Sequence, residues 1–349
     1  MTALPGSPYL MGGAGVTNPA QLDGPDDDDQ NVIVSADHRF LYAVNSGSNT
    51  IAAFHIHSDG ALSAVAGSPY PSMGIEPVSL GLTGGRLYVV NKNQDPGQPQ
   101  TSDGSNYSVF NVNADGSLAF IPGSTVSAPK DASSSQALIS RDGKFLIDAE
   151  ENAAVLRAFS IGPSGLLTDV PGSPLSPPLV GGTQAAPLGL ATSPTQRLLY
   201  VGFVNVSRLG VYSIDPTTGA LSFVTHVANS GSEICWLKIT SDGKSLYTDN
   251  MASNSISHYD LTDPRNPVEV QHMVMKDAGS GGAFELSFDP SEKLLYVVEQ
   301  RTTLNPADPK GNEIHILNVG ANGSLSEASI SPFTLPVPAN AHPQGIVVL

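Results

Sequence analysis

One phrase recurs six times along the 349 residues and restricts the possible folds more than any other feature. Each copy holds an apolar strand, a second strand ending near a Leu-Tyr pair, a third strand with an aromatic residue, and a glycine turn into a fourth strand. The second strands are Phe40–Asn45, Arg86–Asn91, Phe145–Glu150, Leu198–Phe203, Ser245–Asn250 and Leu294–Glu299. Their anchor residues, Tyr42, Tyr88, Ile147, Tyr200, Tyr247 and Tyr296, step by roughly 46 to 59 residues. That period predicts one four-stranded antiparallel unit per copy.

Two further landmarks repeat in step with the anchors. The third strands carry Phe54, Phe110, Phe159, Tyr212, Tyr259 and Leu317 at matching places. Gly60, Gly116, Gly165, Gly219 and Gly323 mark the turn into the fourth strand, where a positive φ favours glycine. The fifth copy uses Asp263–Pro267 there instead. Three landmarks in step predict an all-β fold, a β-propeller of four-stranded antiparallel blades.

The chain ends predict a seventh blade shared between them. The closing residues 341–349 resemble the first strand of the fourth copy, and residues 1–12 contain the Gly-Ser-Pro-Tyr phrase that ends the fourth strand of the first copy. A ring closed in this way leaves no free sheet edge. The second and third strands of this blade have no source in the sequence, so either residues are missing before Met1 or the blade is incomplete. We expect a single seven-bladed propeller domain over residues 1–349.

The strand order, the Gly-Ser-Pro endings and the split last blade resemble the lactonase-type seven-bladed propellers. That family includes bacterial 6-phosphogluconolactonases and fungal carboxymuconate-cyclising enzymes. The resemblance implies a lactone hydrolase or a lactone-forming cyclase. Of the charged residues that the family places at its site, only the glutamate that ends the sixth second strand is matched, by Glu299. Uncharged residues replace most of the family's His and Arg positions, as in Ala153–Ala154, which predicts a neutral or weakly charged substrate.

Composition excludes several classes of binding partner. Lys and Arg total 16 against 32 Asp and Glu, so the formal net charge is −16. Such a field repels nucleic acid and anionic membranes. The sequence also has no run of eighteen apolar residues, so we expect no membrane insertion. The single cysteine, Cys235, excludes an internal disulfide. We expect a monomer that binds a small lactone or sugar-derived ligand. Sparse Lys and Cys favour an exported protein, periplasmic or secreted, with a cytoplasmic location as the alternative.

Antiparallel hairpins bring the end of each second strand beside the start of the first strand, where loops converge on the central channel. Symmetric hairpin turns would set Glu299 opposite Glu285, Glu150 opposite Gln136, Asn250 opposite Trp236, and Asn45 opposite Asn31. Two carboxylates facing each other lie about 5 Å apart and repel. Such a pair needs a shared proton, a bridging cation, or a one-residue register slip that separates them.

The predicted site follows from these pairings. Glu285, Glu299 and Glu150 are the candidate catalytic residues for proton transfer. The candidate ligand-binding residues are Asn45, Asn91, Gln136, Trp236, Asn250, Arg301 and His342. Each has a plainer alternative, such as a solvated carboxylate for Glu150, a packing role for Trp236 and an ordinary loop residue for His342. The run Asp26–Asp29 lacks the ligand spacing of a calcium loop and predicts a solvated acidic loop. The sequence predicts no metal and no cofactor.

Two functions remain open on these residues. The first is a lactonase-like enzyme, a carboxylic ester hydrolase or a cyclase, that uses glutamate acid–base chemistry at the central channel. The second is a non-catalytic exported propeller that serves as a binding or scaffold protein.

Overall fold

The computed structural model describes residues 3–4, 6–18, 27–99, 104–276, 281–302, 311–338 and 341–349. The chain divides into two compact units. The first unit comprises Met1–Asn18, Asp26–Ala153 and Phe159–Asp169, and the second comprises Pro19–Pro25, Ala154–Ala158 and Val170–Leu349. The expected single domain over residues 1–349 stays a prediction.

Six antiparallel sheets follow one another along the chain, and each has the strand order of a propeller blade. Sheet one contains β1 (Val32–Val34), β2 (Phe40–Asn45), β3 (Thr50–Ile56), β4 (Leu62–Ala64) and β5 (Tyr70–Pro71). Sheet two contains β6 (Pro77–Thr83), β7 (Arg86–Asn91), β8 (Asn106–Val112), β9 (Leu118–Phe120) and β10 (Val126–Ser127). Sheet three contains β11 (Leu138–Ile139), β12 (Phe145–Glu150), β13 (Val155–Ile161) and β14 (Leu167–Asp169).

The second unit holds a two-stranded hairpin and three further sheets. The hairpin contains β15 (Leu179–Val180) and β16 (Thr183–Gln184). Sheet four contains β17 (Pro187–Thr192), β18 (Leu198–Phe203), β19 (Arg208–Ile214) and β20 (Leu221–Ala228). Sheet five contains β21 (Ile234–Ile239), β22 (Ser245–Asn250), β23 (Ser255–Asp260) and β24 (Val268–Val274). Sheet six contains β25 (Gly281–Phe288), β26 (Leu294–Arg301), β27 (Glu313–Val319), β28 (Leu325–Glu327) and β29 (Phe333–Thr334).

The described residues are thus all-β, with 3₁₀ turns at Ser46–Ser48, Val204–Val206 and Met251–Ser253 but no α-helix. None of their helices reaches the length and hydropathy that crossing a membrane requires. The repeated landmarks are confirmed. All six third-strand anchors are buried, and the five turn glycines have φ between 77° and 86°.

The anchor tyrosines explain why the Leu-Tyr phrase recurs. Each buried ring lies in its own sheet, and its hydroxyl donates a hydrogen bond to the carbonyl of the turn before the fourth strand of the next sheet. These bonds are Tyr42 to Gly116 (3.0 Å), Tyr88 to Gly165 (3.2 Å), Tyr200 to Pro264 (2.9 Å) and Tyr247 to Gly323 (2.7 Å). In sheet six, Tyr296 is only half-buried.

The predicted cross-strand pairs are wrong by one or two residues, because the hairpins of sheets five and six are one residue out of the expected register and their first strands also carry a β-bulge near the start. In sheet six Ala283 lies opposite Glu299 and Glu285 lies opposite Val298, with the bulge between them. In sheet five Ile234, not Trp236, lies opposite Asn250. Sheets two and four show the same shift. A bulge adds one residue to one strand, which symmetric counting cannot detect.

The other two predicted pairs are also wrong, by two residues in sheet three and by one residue in sheet one. Ser134, not Gln136, bridges to Glu150 in sheet three. In sheet one the amide of Val44, not of Asn45, donates to the carbonyl of Asn31 at 3.0 Å.

The described residues form six blade-like sheets, three of four strands and three with a short fifth strand, rather than the seven blades expected. Of the segments assigned to the seventh blade, residues 3–4, 6–12 and 341–349 are described, and they contain no strand. The segment near the start packs on sheet one, where Asn45 Nδ2 donates to the carbonyl of Met11 at 3.3 Å. The segment at the end lies on sheet six, where the amide of Ile346 donates to Glu285 Oε2 at 2.6 Å.

Candidate functional site

The first cluster of buried acid groups lies in the first unit, at the end of β12. Asp148 and Glu150 alternate on that strand and therefore face the same side. The hydroxyl oxygen of Tyr107, from β8, lies 2.7 Å from Asp148 Oδ2, 3.2 Å from Glu150 Oε1 and 3.1 Å from Ser134 Oγ. One phenol proton thus lies between two carboxylates. We call Tyr107, Asp148 and Glu150 the carboxylate dyad cluster.

Burial sets the protonation of this cluster. Asp148 and Glu150 are both fully buried. Burial first, and then the charge of Glu150, raises the pKa of Asp148 to about 7, although hydrogen bonds from Tyr107 and the amide of Gln136 work against the shift. Burial and the two carboxylates also hold the pKa of Tyr107 well above its usual range. The phenol stays protonated, while Asp148 exchanges a proton near neutral pH.

Gln136 lies beside this cluster. Its backbone amide donates to Asp148 Oδ1 at 2.8 Å, and its side-chain Nε2 donates to Asp29 Oδ2 at 3.0 Å. Asp28 and Asp29 are each 1% exposed, so the expectation of a solvated acidic loop is wrong for these two residues. Asp26 lies outside the described residues. Gln136 and Glu150 therefore do not face each other. Gln136 binds Asp148 directly, and Glu150 is linked to Asp148 through the hydroxyl of Tyr107.

The second cluster lies in the second unit, on sheet six, and contains Glu299, Glu313, His315 and Glu327. Glu299 and Glu313 are cross-strand partners, and His315 follows two residues later on the same face of β27. His315 Nε2 lies 2.5 Å from Glu299 Oε2, and His315 Nδ1 lies 2.7 Å from Glu327 Oε1. We call these four residues the Glu–His cluster.

The Glu–His cluster is buried and only partly satisfied. Burial disfavours a charged imidazole, but the hydrogen bonds and charges of Glu299 and Glu327 outweigh it and raise the pKa of His315. Glu299 Oε1 is buried and has no hydrogen-bond partner among the described residues. Glu299, Glu313 and His315 each offer a ligand atom, and these atoms lie within 4.8 Å of one another. That donor set fits a divalent cation.

Glu285 and Glu299 are not the facing pair that the sequence predicts. The register places their side chains on opposite faces of sheet six, because Glu285 shares a face with its partner Val298 and the neighbouring residues Val298 and Glu299 alternate. Glu285 is 2% exposed and Glu299 is fully buried, so neither carboxylate reaches solvent. The one-residue register slip considered for this pair is what the structure contains.

The predicted ligand-binding asparagines hydrogen-bond to the third strand of their own sheets. Asn91 Nδ2 donates to Asn106 Oδ1 at 3.0 Å, and Asn250 Nδ2 donates to Ser257 Oγ at 3.1 Å. Asn45 makes the equivalent bond to Thr50 Oγ1 at 3.0 Å. A glycine packs against each of them, because a Cβ at Gly13, Gly74 or Gly231 would collide with Asn45, Asn91 or Asn250 respectively. These contacts stabilise the turn after each second strand.

The remaining predicted ligand residues belong to the second unit. Trp236 is fully buried, and its ring packs edge-on against Phe284 at a centroid distance of 6.1 Å. Arg301 is 3% exposed, and its amide donates to Asn312 Oδ1 at 3.1 Å. His342 is half-buried. Their ligand-binding roles stay predictions, as does the grouping of Glu150 with Glu285 and Glu299.

Sequence reasoning missed Asp148, Tyr107, Glu313 and His315. A signal for Asp148 was present, because the position after the anchor is Ala43, Val89, Val201, Thr248 and Val297 in the other copies. A charged residue at a buried repeat position stands out only when the copies are aligned column by column. His315 could have been found in the same way, since small residues occupy its column in the first, second and fifth copies.

Comparisons with known proteins place the fold and leave the activity open. No protein-family model matches the chain, and no curated protein matches it either. The periplasmic gluconolactonase of Pseudomonas aeruginosa is similar in structure, with a TM-score of 0.68 and 18% identity over 86% of each chain. A candidate 6-phosphogluconolactonase from Bacteroides fragilis aligns with a TM-score of 0.66 and 19% identity, over 87% of this chain and 83% of its own.

A third similar structure is not named as a lactonase. The β-propeller domain of Cps50 from Myceliophteria thermophila aligns with a TM-score of 0.60 and 14% identity, over 88% of this chain and 87% of its own. At such identities the likeness establishes a β-propeller fold and nothing about substrate.

Proposed function

We propose that this chain is a lactonase-like hydrolase that acts on a neutral or weakly charged lactone, sugar-derived or carboxylic. The observation that carries the proposal is the carboxylate dyad cluster, in which burial and Glu150 raise the pKa of Asp148 to about 7. A carboxyl group that titrates near neutral pH beside a second carboxylate can both accept and return a proton.

Lactone hydrolysis needs both transfers. Glu150 takes a proton from water as the water oxygen attacks the lactone carbonyl, and Asp148 gives its proton to the ring oxygen as the ester bond breaks. The phenol of Tyr107, 2.7 Å from Asp148 Oδ2, holds the dyad in place. Because both carboxyl groups are fully buried, substrate entry requires the residues around them to move aside.

Two observations support a substrate without strong negative charge. The net charge of −16 disfavours the approach of a polyanion. The similar Pseudomonas structure is named a gluconolactonase, which agrees with this substrate class. The reverse reaction, the placement at a central channel, the seventh blade, and proton transfer by Glu285 and Glu299 stay parts of the proposal.

The test is hydrolysis of glucono-1,5-lactone followed by pH-stat, with the 6-phospho lactone as the charged comparison. Glu150→Gln and Asp148→Asn should each lower kcat by about 10²–10⁴-fold and leave KM nearly unchanged. Glu299→Gln, assayed beside them, tests whether the second cluster takes part. Asp37→Asn, at an exposed turn of the first unit, is the matched control and should keep full activity. A wild-type rate equal to that of buffer, or full activity in both dyad variants, would refute the proposal.

A second candidate function has its own support. The amide nitrogens of Asn45, Asn91 and Asn250 donate to the third strands of their own sheets instead of to a substrate, which supports the non-catalytic alternative, a binding or scaffold propeller. That function predicts no lactone hydrolysis above buffer but saturable binding of a sugar lactone, measured by calorimetry. The expected monomer, the exported location and the absence of nucleic-acid and membrane partners stay predictions under either function.

A further inference from the structure

The Glu–His cluster occupies a repeated position that is neutral in sheets two and five. In sheet two the second strand ends at Asn91, its cross-strand partner is Asn106, and Ser108 follows two residues later. The side-chain amide of Asn91 donates to Asn106 Oδ1 at 3.0 Å and to Ser108 Oγ at 3.4 Å. The centre of this arrangement is a donor surrounded by oxygen acceptors.

Sheet five repeats the arrangement with the same chemistry. Asn250 Nδ2 donates to Ser255 Oγ at 3.2 Å and to Ser257 Oγ at 3.1 Å. The cross-strand partner of Asn250 is Ser255, so the geometry matches that of sheet two. Both blades therefore satisfy buried acceptors with one amide nitrogen.

In sheet six the donor has been replaced by an acceptor. Glu299 takes the place of the asparagine, Glu313 that of its partner, and His315 that of the serine. An ionised carboxylate has no proton to donate, so Glu299, Glu313 and the imidazole of His315 converge without the amide. Glu299 is fully buried, and its Oε1 has no hydrogen-bond partner among the described residues. A buried carboxylate oxygen in that state is costly unless a cation satisfies it.

The distances between the ligand atoms allow one metal ion to satisfy the buried oxygen of Glu299. The ligand atoms of Glu299, Glu313 and His315 lie within 4.8 Å of one another, and all three residues are more than nine-tenths buried. Gly281 makes room on the other side, because a Cβ there would collide with Glu299 Oε1. The three donors come from β26 and β27, so the sheet itself fixes their spacing.

Glu327 supplies the outer support that metal-binding histidines have. It lies 2.7 Å from His315 Nδ1, so Nδ1–H can donate to the carboxylate and the lone pair of Nε2 then faces Glu299. Glu327 is itself held by the hydroxyl of Ser331 at 2.8 Å and by the amide of Lys276 at 2.9 Å. A carboxylate that orients the ring in this way usually strengthens metal binding.

We infer that Glu299, Glu313 and His315 form a binding site for a divalent transition-metal ion such as Zn²⁺ or Mn²⁺, with Glu327 orienting the histidine. Two carboxylates and one imidazole favour these ions over Ca²⁺ and Mg²⁺, which prefer oxygen ligands alone. The ion would displace the proton shared by His315 and Glu299. This site departs from the sequence prediction of no metal, and it does not depend on the proposed hydrolase activity.

The test is metal binding by the chelator-stripped, full-length chain, measured by calorimetry with Zn²⁺ and by the visible absorption of Co²⁺. The matched variant Glu299→Asn/Glu313→Asn/His315→Ser installs in sheet six the three residues that sheet two already folds with. Wild type should bind one ion more per chain than this variant and should gain thermal stability on binding. Circular dichroism melting of both proteins checks that the variant is folded.

Glu327→Gln is a second, milder variant that keeps all three ligands. It should weaken binding by about 10- to 100-fold, with the Co²⁺ spectrum altered but present. Equal metal stoichiometry in wild type and the triple variant would overturn the inference, and so would a wild-type chain that binds neither ion.

Discussion

Asp148 shows how one residue can decide the chemistry of a site. It occupies a column of the repeat that is mostly apolar, and the sheet buries it completely beside Glu150. The backbone amides of Ser135 and Gln136 donate to its Oδ1 at 3.1 Å and 2.8 Å, so the carboxyl group also fills the irregular start of the sheet. The residue therefore combines a structural contact with a proton that is exchangeable near pH 7.

The raised pKa of Asp148 predicts a pH dependence of stability. The folded pKa of about 7 lies above the ordinary aspartate pKa of 3.8, so the folded state binds the extra proton. The contribution of Asp148 to stability is fully present below about pH 4 and is lost as pH rises to about 7, at up to about 1.4 kcal/mol per pH unit. Asp148→Asn should remove this slope, measured as the difference between wild-type and variant urea unfolding curves from pH 4 to 8.

The control for that experiment is Asp37→Asn. Asp37 is exposed, and its pKa is lowered chiefly by the hydroxyl of Ser35. Its removal should give a small difference of the opposite sign. If Asp148→Asn followed the wild-type curve in parallel across the whole range, the protonation assigned to the dyad would be wrong.

At the scale of strands, the sequence was sufficient to predict where the strands lie but not which residues pair across them. Five of the six predicted second strands match the observed bounds, and the sixth extends from Leu294 to Arg301. Alternating apolar residues and positive-φ glycines are local signals, so they can be recognised without tertiary contacts. The register of sheet six leaves no such signal, and its pairing of Glu285 with Val298 separates the carboxylates that symmetric counting had paired. The dyad and the Glu–His cluster depend on neighbouring strands, so only an alignment of the copies could have suggested them.

The bond from an anchor tyrosine to the next turn is the contact that links one sheet to the following one. Tyr247→Phe removes the 2.7 Å bond to the carbonyl of Gly323 and keeps the buried ring. We expect the free energy of unfolding to fall by about 1 kcal/mol, measured by chemical denaturation. Tyr296→Phe is the matched control, because that half-buried anchor makes no such bond in the described residues, and its effect should stay within about 0.5 kcal/mol. Equal losses in both variants would show that the hydroxyl contributes nothing.

For the molecule as a whole, the net charge of −16 is the dominant electrostatic fact. Like charges repel more strongly in the compact state than in the unfolded chain, and salt screens them over about 10 Å at 0.1 M. We expect the Tm at pH 7 to rise between about 0.02 M and 0.5 M NaCl, by roughly 2–4 °C for each kcal/mol of relieved repulsion. Near the sequence pI of about 4.6 the same salt step should have little effect. A salt response of equal size at both pH values would contradict this explanation.

The tyrosine bonds also have a direction. In three of these bonds the donor tyrosine precedes its acceptor in the chain, by 74, 77 and 76 residues. A ribosome therefore makes the hydroxyl first, and the accepting carbonyl follows only after more than one further blade length of chain. During synthesis the tyrosine hydroxyl of each sheet stays hydrated until the next sheet has been made. The sheets can therefore dock on one another in the order in which they are synthesised.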